Sequence, residues 1–225
     1  SASIYAKLER RQPDKTWRID LERPGETDSL PAQMRQLQAS GMLEEARPQM
    51  LLPGEAGSQG KIFNEERVVQ AVETLRREHG WPELLWYLVD EPGSAKRIAL
   101  AKTLTAIVHR VPGVRTTTAT IRNELYDSYD VFIPGIPGQM TALEEIVRRA
   151  EADGKEVWSY NCTWNGNHPI NDRYYSGLYM WTSGLRGNWQ WCFAGRGYRE
   201  GSGAGGLPRL TDELDLGAIA NMEDP

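Results

Sequence analysis

The hydrophobic pattern of the chain switches repeatedly between a helical period and short unbroken apolar runs. Residues 29–40 predict a helix with Ser29 as its cap, Met34 and Leu37 on one face, and Gly41 as the stop. Residues 46–52 follow as a strand ended by Pro53-Gly54. Asn64 caps a second predicted helix over 65–79, with Val68, Val69, Val72 and Leu75 at helical spacing and Gly80 after it. Leu84 to Val89 has no helical period and reads as a strand buried on both faces. A third helix is expected over 94–110, its apolar stripe formed by Leu100, Ala101, Leu104, Ile107 and Val108.

Shorter links carry the same theme onward. Residues 114–120 form a Thr-rich strand, 121–129 a short helical crossover, and 130–133 a strand stopped by Pro134-Gly135. An amphipathic helix spans 141–152 through Leu143, Ile146, Val147 and Ala150, with Gly154 beyond it. A strand over 156–162, a helix over 172–183 and a final strand over 188–193 complete the series.

Strands alternating with helices imply parallel pairing and right-handed crossovers. The expected architecture is α/β, a closed (β/α)8 TIM-type barrel forming a single domain over 1–225. An open doubly wound sheet is the alternative, but it would more often carry a phosphate loop. The first residues fit the barrel less well. Runs at 4–8 and 16–22 are separated by a short polar turn and read as a hairpin within 1–25. The barrel is therefore expected to be irregular or incomplete at its N-terminal strands, or to follow a separate N-terminal domain. Residues 196–225 are Gly-rich and acidic, and are expected to pack across one end.

Composition narrows the function classes. A net charge of −5, with no basic stripe and interleaved aromatics, gives no reason to expect nucleic acid. No apolar stretch approaches the roughly 18 residues needed for a membrane span. Eight tryptophans and nine tyrosines suggest a site lined by flat rings. Cys162 and Cys192 fall near the ends of two consecutive predicted strands, although two thiols in a chain of this length are more often unpaired and buried. His79, His109 and His168 are scattered, no Cys/His cluster has metal-ligand spacing, and no metal or organic cofactor is expected. The Gly-rich run 201–206 has no helix behind it to supply an anion site. The chain opens on Ser1-Ala2-Ser3, without an initiator Met or a signal-peptide pattern, which reads as a processed or excised chain. A secreted or periplasmic location is compatible with this, and the oligomeric state is unreadable.

The candidate chemistry lies in Asp90-Glu91, at the carboxyl end of the run Leu84 to Val89 and ahead of Pro92-Gly93. Enzymes built from βα units place their active sites at that end of the strands. Two adjacent carboxylates repel, which is expected to raise the pKa of at least one and leave it able to hold a proton. The pair suits a hydrolase, and it equally suits solvated acids at the start of the helix near Ser94.

Trp86 to Pro92, Glu156 to Cys162, Arg173 with Gly177-Leu178-Tyr179-Met180-Trp181, and the Trp-rich last strand together resemble the catalytic barrel of glycoside hydrolase family 123. The likeness covers about residues 81–195, and the family's N-terminal β-sandwich is not evident. This resemblance implies a retaining β-N-acetylhexosaminidase, with N-acetylgalactosamine favoured, acting by substrate-assisted catalysis. A retaining enzyme with its own nucleophile needs a second carboxyl about 5–5.5 Å from the acid. The strand Trp158 to Cys162 offers none, so the acids are concentrated in Asp90 and Glu91. Glu91 is then the general acid, and Asp90 holds the acetamido N–H and steadies the oxazolinium-type intermediate.

The resemblance also suggests substrate-binding residues. Tyr160 would donate its hydroxyl to the acetamido carbonyl, and Trp158 and Asn161 accompany it on the same strand. Trp189 or Trp191 would form an apolar wall; being two apart, they share a face. Trp164, Asn167 and His168 lie in the following loop, placed to read sugar hydroxyls, although His168 taken alone reads more readily as a structural hydrogen-bonder. Thr120 and Asn123 are weaker candidates, Arg173 suits a structural ion pair, and His79 and His109 suit favourable charges at helix ends. Two other functions stay open: a glycosidase on non-acetamido sugars, pairing Glu91 with Asp130 or Asp172, and a non-catalytic glycan-binding barrel.

Overall fold

The computed structural model describes residues 3–27, 29–43, 47–53, 66–120, 122–134, 140–161 and 174–190. The chain begins with β1 (Ser3–Ala6), β2 (Glu9–Arg11) and β3 (Trp17–Ile19). Then come α1 (Leu30–Ala39), β4 (Gln49–Pro53), α2 (Glu66–Glu78), β5 (Leu84–Tyr87) and α3 (Ala95–Val108). The second half contains β6 (Thr116–Ala119), a 3-10 turn (Asn123–Ser128), β7 (Val131–Ile133) and α4 (Met140–Ala152). It continues through β8 (Glu156–Asn161), a π turn (Tyr174–Leu178), α5 (Tyr179–Ser183) and β9 (Gly187–Gln190).

Local chemistry accounts for the helices. The Ser29 hydroxyl accepts from the Ala32 N–H and Ser94 from the Arg97 N–H, satisfying donors that a helix start leaves open. Val68, Val69, Val72 and Leu75 bury one face of α2, and Gly80, at φ 63°, closes it in a left-handed turn. In α3 the buried stripe is Ala101, Leu104, Ile107 and Val108; Leu100, expected in that stripe, is exposed.

All pairings in the main sheet are parallel, and its strand order follows the chain: β1-β4-β5-β6-β7-β8-β9. An order without reversal excludes the doubly wound alternative, which turns back at a switch point. It also puts successive right-handed crossovers on one face, so the sheet curves around the other. Among the described residues the wall nevertheless does not close. Among the described residues β1 and β9 are sheet edges, and the architecture is a seven-stranded half-barrel rather than the expected (β/α)8 barrel. An eighth strand can be counted in the sequence only by including the run at 16–22. That run supplies β3, which pairs antiparallel with β2 in a separate two-stranded sheet. The hairpin is therefore Glu9–Arg11 against Trp17–Ile19, whereas Ser3–Ala6 joins the main sheet beside β4.

The parallel strands divide their side chains between two apolar environments. Ile4, Ala6, Leu51, Leu84 and Trp86 pack with helix residues such as Val68, Val72, Leu104 and Val108. Phe132 and Val157 pack with Leu143, Val147 and Ala150 of α4. The alternate positions, Met50, Leu85, Tyr87, Ala119, Val131, Ile133, Trp158 and Trp189, form a cluster to which no helix contributes. These residues line the concave face, as the period-two geometry of strands requires.

Candidate active site

The chain leaves β5 after Tyr87 through two buried residues, Leu88 and Val89. The Thr118 hydroxyl, from the neighbouring β6, donates to the Val89 carbonyl at 2.6 Å and ties this exit to the sheet. Asp90 and Glu91 emerge exposed at the carboxyl end of the strand. The Arg97 guanidinium donates to the Asp90 carbonyl, and Arg122 donates to the Gly93 carbonyl at 3.0 Å. Between these two clamps Glu91 adopts φ 41°, left-handed backbone that a residue with a Cβ seldom takes.

The two carboxylates have different surroundings. Tyr87 presents its ring to the concave cluster and donates its hydroxyl to Asp90 Oδ1 at 2.6 Å. Among the described residues Asp90 Oδ2 and the Glu91 carboxylate take no hydrogen-bond partner. The Tyr87 ring lies 5.2 Å from that of Trp189, at an interplanar angle of 52°. One carboxylate is thus tethered to an aromatic floor, while its neighbour stands free at the rim.

Trp158 belongs to the same concave cluster but is anchored toward the other end of the strands. Its indole N–H donates to Glu156 at 2.9 Å, at the start of β8. Arg115, just before β6, binds that same Glu156 and grips Glu83, just before β5, through two hydrogen bonds of 2.7 and 2.9 Å. Burial alone would raise the Glu156 carboxyl, but the Trp158 N–H and the Arg115 guanidinium outweigh it and hold the group below its ordinary value. Gly187 faces the Trp158 ring so closely that a Cβ there would collide with it. The Trp158 ring therefore lies across Gly187 of the neighbouring strand, and of the two indoles it is Trp189 that meets the Tyr87 ring.

Asp130 does not join the carboxylates. It precedes β7 at the amino end of the strands, where Oδ2 accepts from the Thr116 backbone N–H at 2.8 Å and lies 2.8 Å from His109 Nε2. Burial pushes this carboxyl up, yet His109 and the Thr116 donors outweigh it and keep it below its ordinary value. His109 does end its helix, as expected, and it spends its ring on Asp130. His79 instead stacks on Trp81, with centroids 4.7 Å apart. Thr120 is buried and accepts from the Arg122 N–H at 3.1 Å, while Asn123 opens the 3-10 turn, exposed.

Tyr160 and Asn161 lie on β8, Tyr160 in register with Trp189 on β9, although their side chains are outside the described residues. Trp164, Asn167, His168 and Trp191 also lie outside the described residues, as do Asp172, Arg173, Cys162 and Cys192. Sequence reasoning missed Tyr87, which it treated only as part of a buried run. The available signal was its parity: Tyr87 is the last strand residue facing inward before the acids. Among the described residues no group of three or more His, Cys, Asp and Glu could hold a metal ion. No helix among them is long and apolar enough to cross a membrane.

No family model matches this chain, and no curated protein matches it. Neither comparison supports the expected likeness to glycoside hydrolase family 123.

Proposed function

We propose that this protein is a retaining glycoside hydrolase that releases β-linked N-acetylhexosamine, with N-acetylgalactosamine the favoured sugar. The observation that supports this reading is the division between two adjacent acids at a carboxyl strand end. Asp90 is bound through one oxygen to Tyr87, and Glu91 is exposed without a partner among the described residues.

Glu91 delivers a proton to the glycosidic oxygen as the bond from the anomeric carbon to that oxygen breaks. The substrate's acetamido oxygen attacks the same carbon from the opposite face, closing an oxazolinium-type ring. Asp90 accepts the acetamido N–H through Oδ2 and offsets the positive charge of that ring. Glu91, now ionised, takes a proton from water as the water opens the ring, and the anomeric configuration is retained. Tyr87 and Trp189, buried against each other, form the apolar support behind Asp90. The partner is a carbohydrate. Asp130, held by His109 and Thr116 at the opposite strand ends, is not available as the second acid of a conventional pair.

Glu91→Gln is expected to lower kcat by about 10²–10⁴-fold on substrates with poor leaving groups, the range for losing a general acid. Asp90→Asn is expected to cost about 10²–10³-fold, the range for losing a charge-stabilising contact. A thiazoline mimic of the closed ring should bind the wild type and lose affinity in Asp90→Asn. Unchanged turnover in Glu91→Gln would remove it as the acid, and failure of the thiazoline to bind would reject substrate assistance.

A further inference from the structure

We infer that Tyr87 is a positioning residue that fixes the plane of the Asp90 carboxylate, reserving Oδ2 for the acetamido N–H of the substrate. This rests on the hexosaminidase reading above. The main chain around Asp90 is already set without Tyr87: Thr118 holds the Val89 carbonyl, and Arg97 holds the Asp90 carbonyl. Rotation of the carboxylate about its own bonds is left over, and at an exposed position nothing else in the described structure restrains it. The Tyr87 hydroxyl does so, at 2.6 Å, within the 2.5–2.7 Å expected of a hydroxyl donating to an ionised carboxylate.

Packing alone does not account for a tyrosine here. The ring is buried and meets Trp189, and phenylalanine would fill that volume equally well. What phenylalanine lacks is the hydroxyl, which reaches out of the apolar cluster to the carboxylate. Tyr87 thereby joins the rigid concave floor to a flexible side chain at the rim, the kind of support that holds a reacting group within about 0.5 Å of productive geometry.

A double-mutant cycle tests this. Tyr87→Phe is expected to lower kcat on an aryl β-N-acetylhexosaminide about 10- to 100-fold with KM changed less than threefold, as for a reacting group misplaced by about 1 Å. In the Asp90→Asn background the same change should cost less than twofold, because there is no longer a carboxylate to orient. Thiazoline affinity should fall in Tyr87→Phe and be insensitive to it in Asp90→Asn. If Tyr87→Phe does not fold, 3-fluorotyrosine at position 87 keeps both ring and hydroxyl. It should change kcat severalfold in the wild type and not in Asp90→Asn. Losses that multiply independently, or a Tyr87→Phe enzyme within twofold of wild type, would overturn the positioning role alone. A wild type that turns over no N-acetylhexosaminide would overturn the functional reading and this role with it.

Discussion

Glu91 occupies left-handed backbone, φ 41°, although it carries a Cβ and has no special tolerance for that region. Such a conformation costs about 1–2 kcal/mol, and it persists where surrounding contacts over-determine it, often at functional sites. Here the contacts are Arg97 on one side and Arg122 on the other. Glycine would relieve the strain, while losing some chain entropy of its own. Glu91→Gly is therefore expected to leave unfolding free energy unchanged or raised by up to about 1 kcal/mol in denaturant titrations, with turnover lost. A destabilised variant would show that the strain is not real. The carboxylate pair was readable in the sequence because a charged dipeptide after an apolar run has a clear chemical meaning. The left-handed turn was not, since nothing about a glutamate announces it. Nor was Tyr87, because a hydroxyl at the edge of a buried run looks the same whether it meets water or a carboxylate.

The amino ends of β5, β6, β7 and β8 are secured by pairs from distant parts of the chain. Arg115 joins the approach to β5 with the start of β8, and through Glu156 it fixes the Trp158 indole. Asp130 joins the helix end at His109 to the start of β6. These pairs were invisible beforehand: residues 21 or 41 apart become neighbours only after the strands are placed side by side. The positions of the helices were readable, because apolar spacing and the caps Ser29 and Ser94 act locally. Asp130 also makes a pH prediction. Its folded carboxyl titrates below the ordinary 3.8, so its stabilisation is present above that value and is lost as pH falls through the folded value. Wild-type Tm should drop as pH falls below about 4, and Asp130→Asn should show a shallower drop over the same interval. Equal slopes would show that Asp130 gains nothing from His109 and Thr116.

The sheet as a unit explains where Asp90 and Glu91 stand. Sequential parallel order places helices against one face and leaves the concave face to Met50, Leu85, Tyr87, Trp158 and Trp189. Strands running the same way bring their carboxyl ends to one rim, and Asp90 and Glu91 stand on it. The alternation of strands and helices was evident in the pattern of apolar positions. Closure was not, because it depends on strand tilt and stagger, which leave no periodic trace. The run at 16–22 was legible as half of a hairpin, but its partner is Glu9–Arg11, and the run at 4–8 feeds the main sheet instead.

The proposed substrate-assisted reaction requires the sugar to bring its own nucleophile beside Glu91. Comparing wild-type kcat/KM for an aryl β-N-acetylgalactosaminide with that for the matching aryl β-galactoside, which has a hydroxyl in place of the acetamide, tests this directly. An internal nucleophile carries a large effective concentration, so the acetamido sugar should react at least about 10²-fold faster. Equal rates on the two sugars, or turnover of the galactoside alone, would contradict it.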